Sequence, residues 1–121
     1  MSPISDSSIY LHNAAPADGA QAGVLVGAGP IGGMLLRMKA NGDAATTVSV
    51  QESDDNSDFF TLPLGNAGAT MAFLAGEYAE ERIWWSKPYL RVTFATSSGT
   101  GVFNVGLIQG EIPDPMVGPA V

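Results

Sequence analysis

The sequence contains no cysteine and only one histidine, His12, among its 121 residues. The absence of cysteine excludes disulfides and thiolate chemistry, and it removes the usual compositional clue to a redox compartment. A single histidine in a polar N-terminal segment cannot assemble a Ser-His-Asp triad or a metal centre built from histidines. We therefore expect no catalytic triad and no metal cluster built around this histidine.

Positively charged residues are also scarce. Five lysine and arginine residues stand against 12 aspartate and glutamate residues, which gives a formal net charge of −7. Phosphate binding requires clustered cations, and these five are scattered, so we expect no direct nucleic-acid partner and no anionic membrane partner. No apolar run approaches the roughly 18 residues of a membrane span, and the first 20 residues lack the charged start of a secretory signal.

The clearest positive feature is the segment at residues 87–108, KPYLRVTFATSSGTGVFNVGLI. Leu90, Val92 and Phe94 alternate with polar or small residues, a period of two that is typical of a strand with one buried face. The stretch SSGTG has the composition of a turn, and a second alternating run follows it. The pattern predicts an antiparallel hairpin and therefore an all-β protein.

The rest of the chain also alternates between short apolar runs and turn-rich stretches. Strands are predicted at residues 22–26, 33–40, 46–52, 59–64, 70–74 and 77–85, in addition to the two strands of the hairpin. About eight short strands at regular spacing indicate an antiparallel β-sandwich or barrel. We expect an extended N-terminal arm at residues 1–20, a sandwich core at residues 21–111 and a proline-rich tail at residues 112–121. The side chains predicted to be buried are Val50, Leu90, Val92, Phe94, Phe103, Val105 and Leu107.

A glycine-rich motif at residues 23–36, GVLVGAGPIGGMLL, points in a different direction. Gly27, Gly29 and Gly32 satisfy the dinucleotide-binding fingerprint, and Glu52 follows near the position of a ribose-binding acid. The helix that the motif requires would be short, however, and no further βα units follow it. We therefore interpret the motif as a loop between two sandwich strands that holds no cofactor, and we expect Gly29→Ala to change stability by about 1 kcal/mol or less.

Two other groups of residues are candidate sites. The loop SDDNSD at residues 53–58 offers oxygen ligands for calcium, but it lacks the glycine and glutamate spacing of an EF-hand, which favours a solvated loop. Trp84 and Trp85 are adjacent, and adjacent strand residues face opposite sides of a sheet. Trp84 is therefore a candidate for an exposed ring that contacts a partner, because aromatic side chains at interfaces carry large binding energies.

Three segments resemble the capsid decoration (cement) proteins of tailed bacteriophages. They are residues 46–63, TTVSVQESDDNSDFFTLP, residues 76–78, GEY, and residues 89–108, which include the YLR motif and the final FNVGLI run. Together they cover roughly half of the chain. The resemblance implies a jelly-roll-like sandwich that binds the outer surface of an icosahedral shell. It also implies that the protein is made in the host cytoplasm. It further implies binding to the major capsid protein and a dimer or trimer at a local symmetry axis. On the same resemblance we expect no enzymatic activity, no catalytic residue and no cofactor.

Two alternatives to this structural role remain open. One is a carbohydrate-binding sandwich module, motivated by the exposed aromatics and the acidic loop, and the other is a nucleotide-binding fragment, which rests on the glycine motif alone. Apolar side chains in the arms are expected to order on binding to neighbouring subunits. The residues predicted to contact partners are Ile4, Ile9, Tyr10, Leu11, Trp84, Ile112, Met116 and Val117.

Overall fold

The computed structural model describes residues 9–65 and 68–108, and these residues form two antiparallel β-sheets. Ten strands are present in this part of the chain. They are β1 (Ile9–Ala14), β2 (Gly19–Ala20), β3 (Val24–Leu25), β4 (Met34–Ala40), β5 (Ala45–Ser53), β6 (Phe60–Leu62), β7 (Met71–Phe73), β8 (Tyr78–Ile83), β9 (Tyr89–Ser98) and β10 (Phe103–Ile108).

The strand order is that of a jelly roll. One sheet has the order β1-β10-β4-β8, and the other is built around β9 and β5. Strands β2 and β3 both pair with β9, and β6 and β7 both pair with β5, so each pair forms one interrupted edge strand. The ten strands therefore occupy eight positions in two four-position sheets, which is the jelly-roll arrangement of two packed sheets. The predicted all-β sandwich with about eight strands is confirmed.

The edges of the sheets are irregular. Residues 21–23 separate β2 from β3, and residues 63–70 separate β6 from β7. In the four-stranded sheet, the register of β1 shifts between Tyr10 and His12, which marks a bulge. Strand β8 forms the opposite edge of that sheet and carries Glu80 and Glu81.

Alternating side chains from both sheets fill the core. In β5 and β9 the even-numbered residues Val48, Val50, Leu90, Val92 and Phe94 point inward and are buried. All seven side chains predicted to be buried are buried, with a relative exposure of 2% or less. Three aromatic rings pack edge to face at the centre, with Phe103 between Phe73 at 5.1 Å and Phe94 at 5.6 Å. The period of two in the sequence therefore identifies the buried face of the central strands.

The prediction of a hairpin at residues 87–108 is wrong. Strand β9 pairs with β5 in one sheet, whereas β10 pairs with β1 and β4 in the other, so the connection crosses between sheets. The carboxylate of Asp43 fixes this crossing, because its Oδ1 accepts hydrogen bonds from the backbone N–H groups of Thr100 (2.9 Å) and Gly101 (2.8 Å). The turn is thus held to the β4–β5 connection rather than closing a ladder between β9 and β10.

The described part of the predicted N-terminal arm instead belongs to the sandwich. Residues 9–14 form β1 along β10, and residues 19–20 form β2 along β9. Leu11 is only 5% exposed and joins the core, while the ring of His12 packs edge to face against Phe94 at 4.7 Å. Residues 1–8 and the predicted tail at residues 112–121 lie outside the described residues.

The glycine motif leads into a strand and not into a helix. Met34–Ala40 forms β4, with Leu36 and Met38 buried and Arg37 exposed, as the alternation predicts. A pyrophosphate site of the dinucleotide type needs a helix N-terminus directly after the glycines. The structure places strand backbone there, which removes the premise of the nucleotide-binding alternative. Within the described ranges, no helix is long and apolar enough to cross a membrane.

Candidate functional site

Two loops and the end of one strand enclose an open groove at one end of the sandwich. They are the loops that join β3 to β4 and β8 to β9, and the end of β5 at Glu52. The groove has a volume of about 390 Å³. Its walls combine apolar side chains with one carboxylate, and its lining residues are Gly29, Pro30, Ile31, Glu52, Trp84, Trp85 and Ser86.

Trp85 forms the floor of this end of the molecule. Its side chain is 6% exposed, and its Nε1 donates a hydrogen bond of 2.7 Å to the carbonyl oxygen of Gly27. The backbone N–H of Gly29 donates in return to the carbonyl oxygen of Trp85 at 3.1 Å. A Cβ atom at Gly29 would lie only 2.8 Å from Cδ2 of the Trp85 ring. The glycine loop therefore lies directly on the indole ring.

Trp84 points the other way and is 53% exposed. A Cβ atom at Gly33 would lie 2.9 Å from Nε1 of Trp84, so this ring rests against the α-carbon of Gly33. Gly33 has a φ of 74°, a left-handed conformation that glycine adopts without strain. The side chain of Arg82 holds the same loop by donating to the carbonyl oxygen of Gly32 at 3.1 Å. The position of the exposed ring is thus set by the loop beneath it.

Glu52 connects the groove to the β8–β9 loop. Its Oε1 accepts hydrogen bonds from the backbone N–H groups of Ser86 (2.9 Å) and Lys87 (3.2 Å). Among the described residues, the hydrogen bonds to this carboxylate converge on Oε1. The other oxygen, Oε2, is left as an acceptor in a groove that Trp84 also lines. Glu52, the residue near the position of a ribose-binding acid in the glycine motif, therefore holds the β8–β9 loop and supplies the negative charge of the groove.

Two cations beside the groove lie on aromatic rings. The Nζ atom of Lys87 lies 5.6 Å from the ring centroid of Phe60 and 2.9 Å from Oδ2 of Asp54. The guanidinium carbon of Arg91 lies 3.8 Å from the ring centroid of Phe59, and its Nε donates to Gln51 at 2.7 Å. Each cation thus combines a ring face with an oxygen acceptor, which is the geometry of a cation–π contact supported by hydrogen bonding.

The structure separates the residues predicted to contact partners. Trp84 lies in the groove, whereas Ile9 and Tyr10 are exposed on β1, which is the other edge of the four-stranded sheet. Leu11 is buried in the core and is not available to a partner, since inward-facing positions of β1 pack under β9. The remaining four, Ile4, Ile112, Met116 and Val117, lie outside the described residues.

Sequence analysis did not identify Ile31 or the role of the glycine loop. Ile31 is fully exposed at the lip of the groove, beside Pro30. A glycine-rich stretch and a tryptophan pair were both visible in the sequence, but they lie about 55 residues apart and nothing local joins them. A signal did exist, because clustered glycines mark close approach of the backbone to another group, and here that group is a pair of indole rings.

The acidic loop at residues 53–58 is held by its own hydrogen bonds. Oδ1 of Asp55 accepts from the backbone N–H groups of Asp58 (3.0 Å) and Ser57 (2.9 Å) and from the hydroxyl of Ser53 (3.0 Å). These hydrogen bonds, that from Asp58 above all, lower the pKa of Asp55. In the portion of the chain that the structure describes, no three His, Asp or Glu side chains come together as metal ligands.

The two loop aspartates predict a loss of stability in acid. The N–H groups of Gly101 and Thr100 lower the pKa of Asp43 below its ordinary 3.8, as those of Asp58 and Ser57 do for Asp55. A carboxyl with a depressed pKa binds fewer protons in the folded than in the unfolded state. Its stabilisation is present above pH 3.8 and is lost as the pH falls through the lower, folded-state pKa.

Asp55→Asn is therefore expected to flatten the fall of the unfolding free energy in acid. The measurement is urea unfolding at a series of pH values from about 5 to about 2.5. Asp58→Asn is the matched control, because it removes a carboxylate from the same loop but leaves the acceptor at Asp55 in place. Identical pH profiles for the two variants and the unmodified protein would contradict this account of the loop.

Comparison with known proteins gives no relative on which to base an identification. No protein-family model, no curated protein and no solved structure matches the chain. The class that the structure defines is a jelly-roll β-sandwich with an aromatic groove at one end.

Proposed function

We propose that this protein is a structural virion component that binds the outer surface of an icosahedral bacteriophage capsid and stabilises contacts between major capsid proteins. The observation that carries the proposal is the exposed ring of Trp84, held in place beside the fully exposed Ile31. A large aromatic side chain that is rigidly presented to solvent has little conformational entropy to lose on binding, and such residues dominate interfaces.

The resemblance to decoration proteins supports the same role. The resembling segments fall on β5, β6, β9 and β10, and β5 and β9 are paired along most of their length. They therefore include β5, β9 and β10, which are central strands of the two sheets, together with the edge strand β6. The proposal includes the major capsid protein as partner, self-association as a dimer or trimer at a local symmetry axis, and synthesis in the host cytoplasm before attachment to the shell.

Binding to shells is expected to depend on Trp84. Trp84→Ala should weaken binding at least about thirtyfold, because truncating an aromatic hot spot costs about 2 kcal/mol or more. The measurement is co-sedimentation of the purified protein with particles from a phage whose copy of the gene has been deleted. Bound protein is quantified over a range of free concentrations.

Leu74→Ala is the matched control for this experiment. Leu74 is a large, 69% exposed apolar residue that follows β7 at the opposite end of the sandwich. It should leave shell binding unchanged if the groove end is the contact. Equal losses in both variants would place the contact elsewhere, and no binding of the unmodified protein would refute the capsid role.

A carbohydrate-binding module is the second candidate function. The observation that favours it is the open Trp84 ring face in a groove that also holds the Glu52 carboxylate and the exposed Ser86. A sugar ring could stack on the indole while its hydroxyl groups donate to the carboxylate. Saturable binding of the isolated protein to a glycan array, abolished by Trp84→Ala, would favour this function over the capsid role.

A further inference from the structure

All five lysine and arginine side chains of this protein have intramolecular partners. Each donates a hydrogen bond to an oxygen atom of its own chain, at distances from 2.7 to 3.2 Å. The donors and acceptors are Arg37 to Glu80, Lys39 to the Gly76 carbonyl, Arg82 to the Gly32 carbonyl, Lys87 to Asp54, and Arg91 to Gln51. Since the sequence holds no other lysine or arginine, no further side chain of this kind is available to the groove.

The groove repeats an arrangement that is filled elsewhere at the same end of the molecule. Lys87 sits between the ring of Phe60 and the carboxylate of Asp54, and Arg91 sits between the ring of Phe59 and the amide oxygen of Gln51. The groove likewise contains an exposed ring, Trp84, and a carboxylate, Glu52, and no lysine or arginine is among the residues that line it. Tryptophan is the best of the aromatic side chains for a cation.

We propose that the groove is a receptor for one lysine or arginine side chain of a partner protein. The charged head would lie over the Trp84 ring and donate to Oε2 of Glu52, and the methylene stem would lie along Pro30 and Ile31. An amphipathic side chain of this kind buries its stem while it keeps its head hydrogen-bonded. The net charge of −7 adds a general attraction for a basic partner.

The chemistry of the groove favours a protein side chain over a metal ion. Glu52 is the one carboxylate among the lining residues, whereas hard cations take six or more oxygen ligands. The ring and the isoleucine match an organic cation with an apolar stem. The identity of the partner rests on the proposed function, since a capsid protein would have to present this side chain. The affinity of the groove for a lysine or arginine side chain does not rest on the proposed function.

The test uses the isolated full-length protein and two small probes. Nα-acetylarginine amide carries the cation, and Nα-acetylcitrulline amide has almost the same shape without the charge. Binding is followed by NMR through the indole N–H signals of the two tryptophans, assigned with a Trp84→Phe variant, at constant chloride concentration. We expect the arginine probe to shift the Trp84 signal saturably, and the citrulline probe to bind at least about fivefold more weakly.

Two variants separate the proposed contact from general electrostatics. Glu52→Gln retains an acceptor for the Ser86 and Lys87 amides but removes the charge, and we expect it to weaken arginine binding about threefold to fivefold. Asp58→Asn removes a carboxylate of the neighbouring loop that forms no ion pair within the described residues, and it should change arginine binding less than twofold. Equal binding of arginine and citrulline, equal effects of the two variants, or no saturable shift would overturn the proposal.

The outcomes also separate this proposal from the proposed function. Arginine binding by a protein that does not attach to particles would sustain the receptor and refute the capsid role. Attachment to particles by a protein that does not bind arginine would sustain the capsid role and refute the receptor. A methyl glycoside that shifts the Trp84 signal, when arginine does not, would assign the groove to a saccharide and overturn the receptor.

Discussion

Phe103→Ala is expected to destabilise the protein by about 3–5 kcal/mol, the range observed for deleting a buried phenylalanine ring. Phe103 is fully buried and touches aromatic rings on both sides, Phe73 and Phe94. The variant loses the burial of its own ring and leaves a cavity whose aromatic lining loses contacts. A domain of this size has a total stability of about 5–15 kcal/mol, so the variant should unfold at a much lower urea concentration.

Phe60→Ala provides the comparison for this loss. Phe60 has the same side chain on β6 but is 57% exposed, with Lys87 above its ring. Its removal should change the unfolding free energy by about 1 kcal/mol or less. Urea unfolding followed by tryptophan fluorescence measures both variants. If Phe103→Ala cost no more than Phe60→Ala, the aromatic cluster would not be the centre of the core.

Gly33→Ala should have the second large effect, a loss of roughly 2–5 kcal/mol. Two costs combine at this position. A φ of 74° is unfavourable for any residue with a Cβ atom, by about 1–2 kcal/mol. The new Cβ would also lie 2.6 Å from the carbonyl oxygen of Ile83 and 2.9 Å from Nε1 of Trp84, and such overpacking costs about 1–3 kcal/mol.

The other glycines of the same loop separate these two costs. Gly27 has a φ of 80° but open space around it, so Gly27→Ala should show the conformational cost alone. Gly29 shows the contact cost alone, because its Cβ would meet the Trp85 ring at 2.8 Å. The expectation that Gly29→Ala changes stability only slightly is therefore revised to a loss of about 1–3 kcal/mol.

Gly32 is the reference for the series. It has neither a positive φ nor a neighbour within 4 Å, and Gly32→Ala should leave stability unchanged or raise it by about 0.4–1 kcal/mol. Urea unfolding of all four variants gives the test. A Gly33→Ala variant as stable as Gly32→Ala would show that the Trp84 ring is not seated on the loop, and the preorganised groove would lose its basis.

The alternation of side chains predicted the strands better than it predicted their partners. It identified the inward faces of β4, β5 and β9, which bury every second residue over most of their core-facing length, and three of the buried residues of β10. It could not show that β9 and β10 belong to different sheets, since the SSGTG turn would suit a hairpin equally well. The deciding contact comes from Asp43, more than 50 residues earlier in the chain.

The N-terminal strands were missed for a different reason. Strand β1 has a bulge, so Leu11 is buried while its neighbours do not follow a simple period of two, and β2 has only two residues. Their stability comes from pairing with β10 and β9 and not from a local pattern. Short edge strands of this kind are defined by tertiary context more than by their own residues.

Of the residues in the candidate site, the sequence predicted the exposure of one, Trp84. The adjacency of Trp84 and Trp85 indicated that one ring would face outward, and the structure exposes Trp84. Glu52 lies near the end of β5 and Ile31 lies in the β3–β4 loop, and only the folded sandwich brings them to the same groove as Trp84. Their roles could not be predicted from their spacing along the chain, because these residues come close together only where the ends of the two sheets meet in the folded protein.

Interrupted edge strands make the sandwich resistant to fibril growth. A continuous exposed edge offers unpaired N–H and C=O groups on which another chain can assemble. Here the edge made by β2 and β3 is broken, the edge made by β6 and β7 is broken, and β1 is bulged. On β8, the charged residues Glu80 and Glu81 disfavour pairing with an uncharged or acidic edge of a second chain. A second copy laid along one of these edges would therefore find no long, regular row of backbone groups with which to pair.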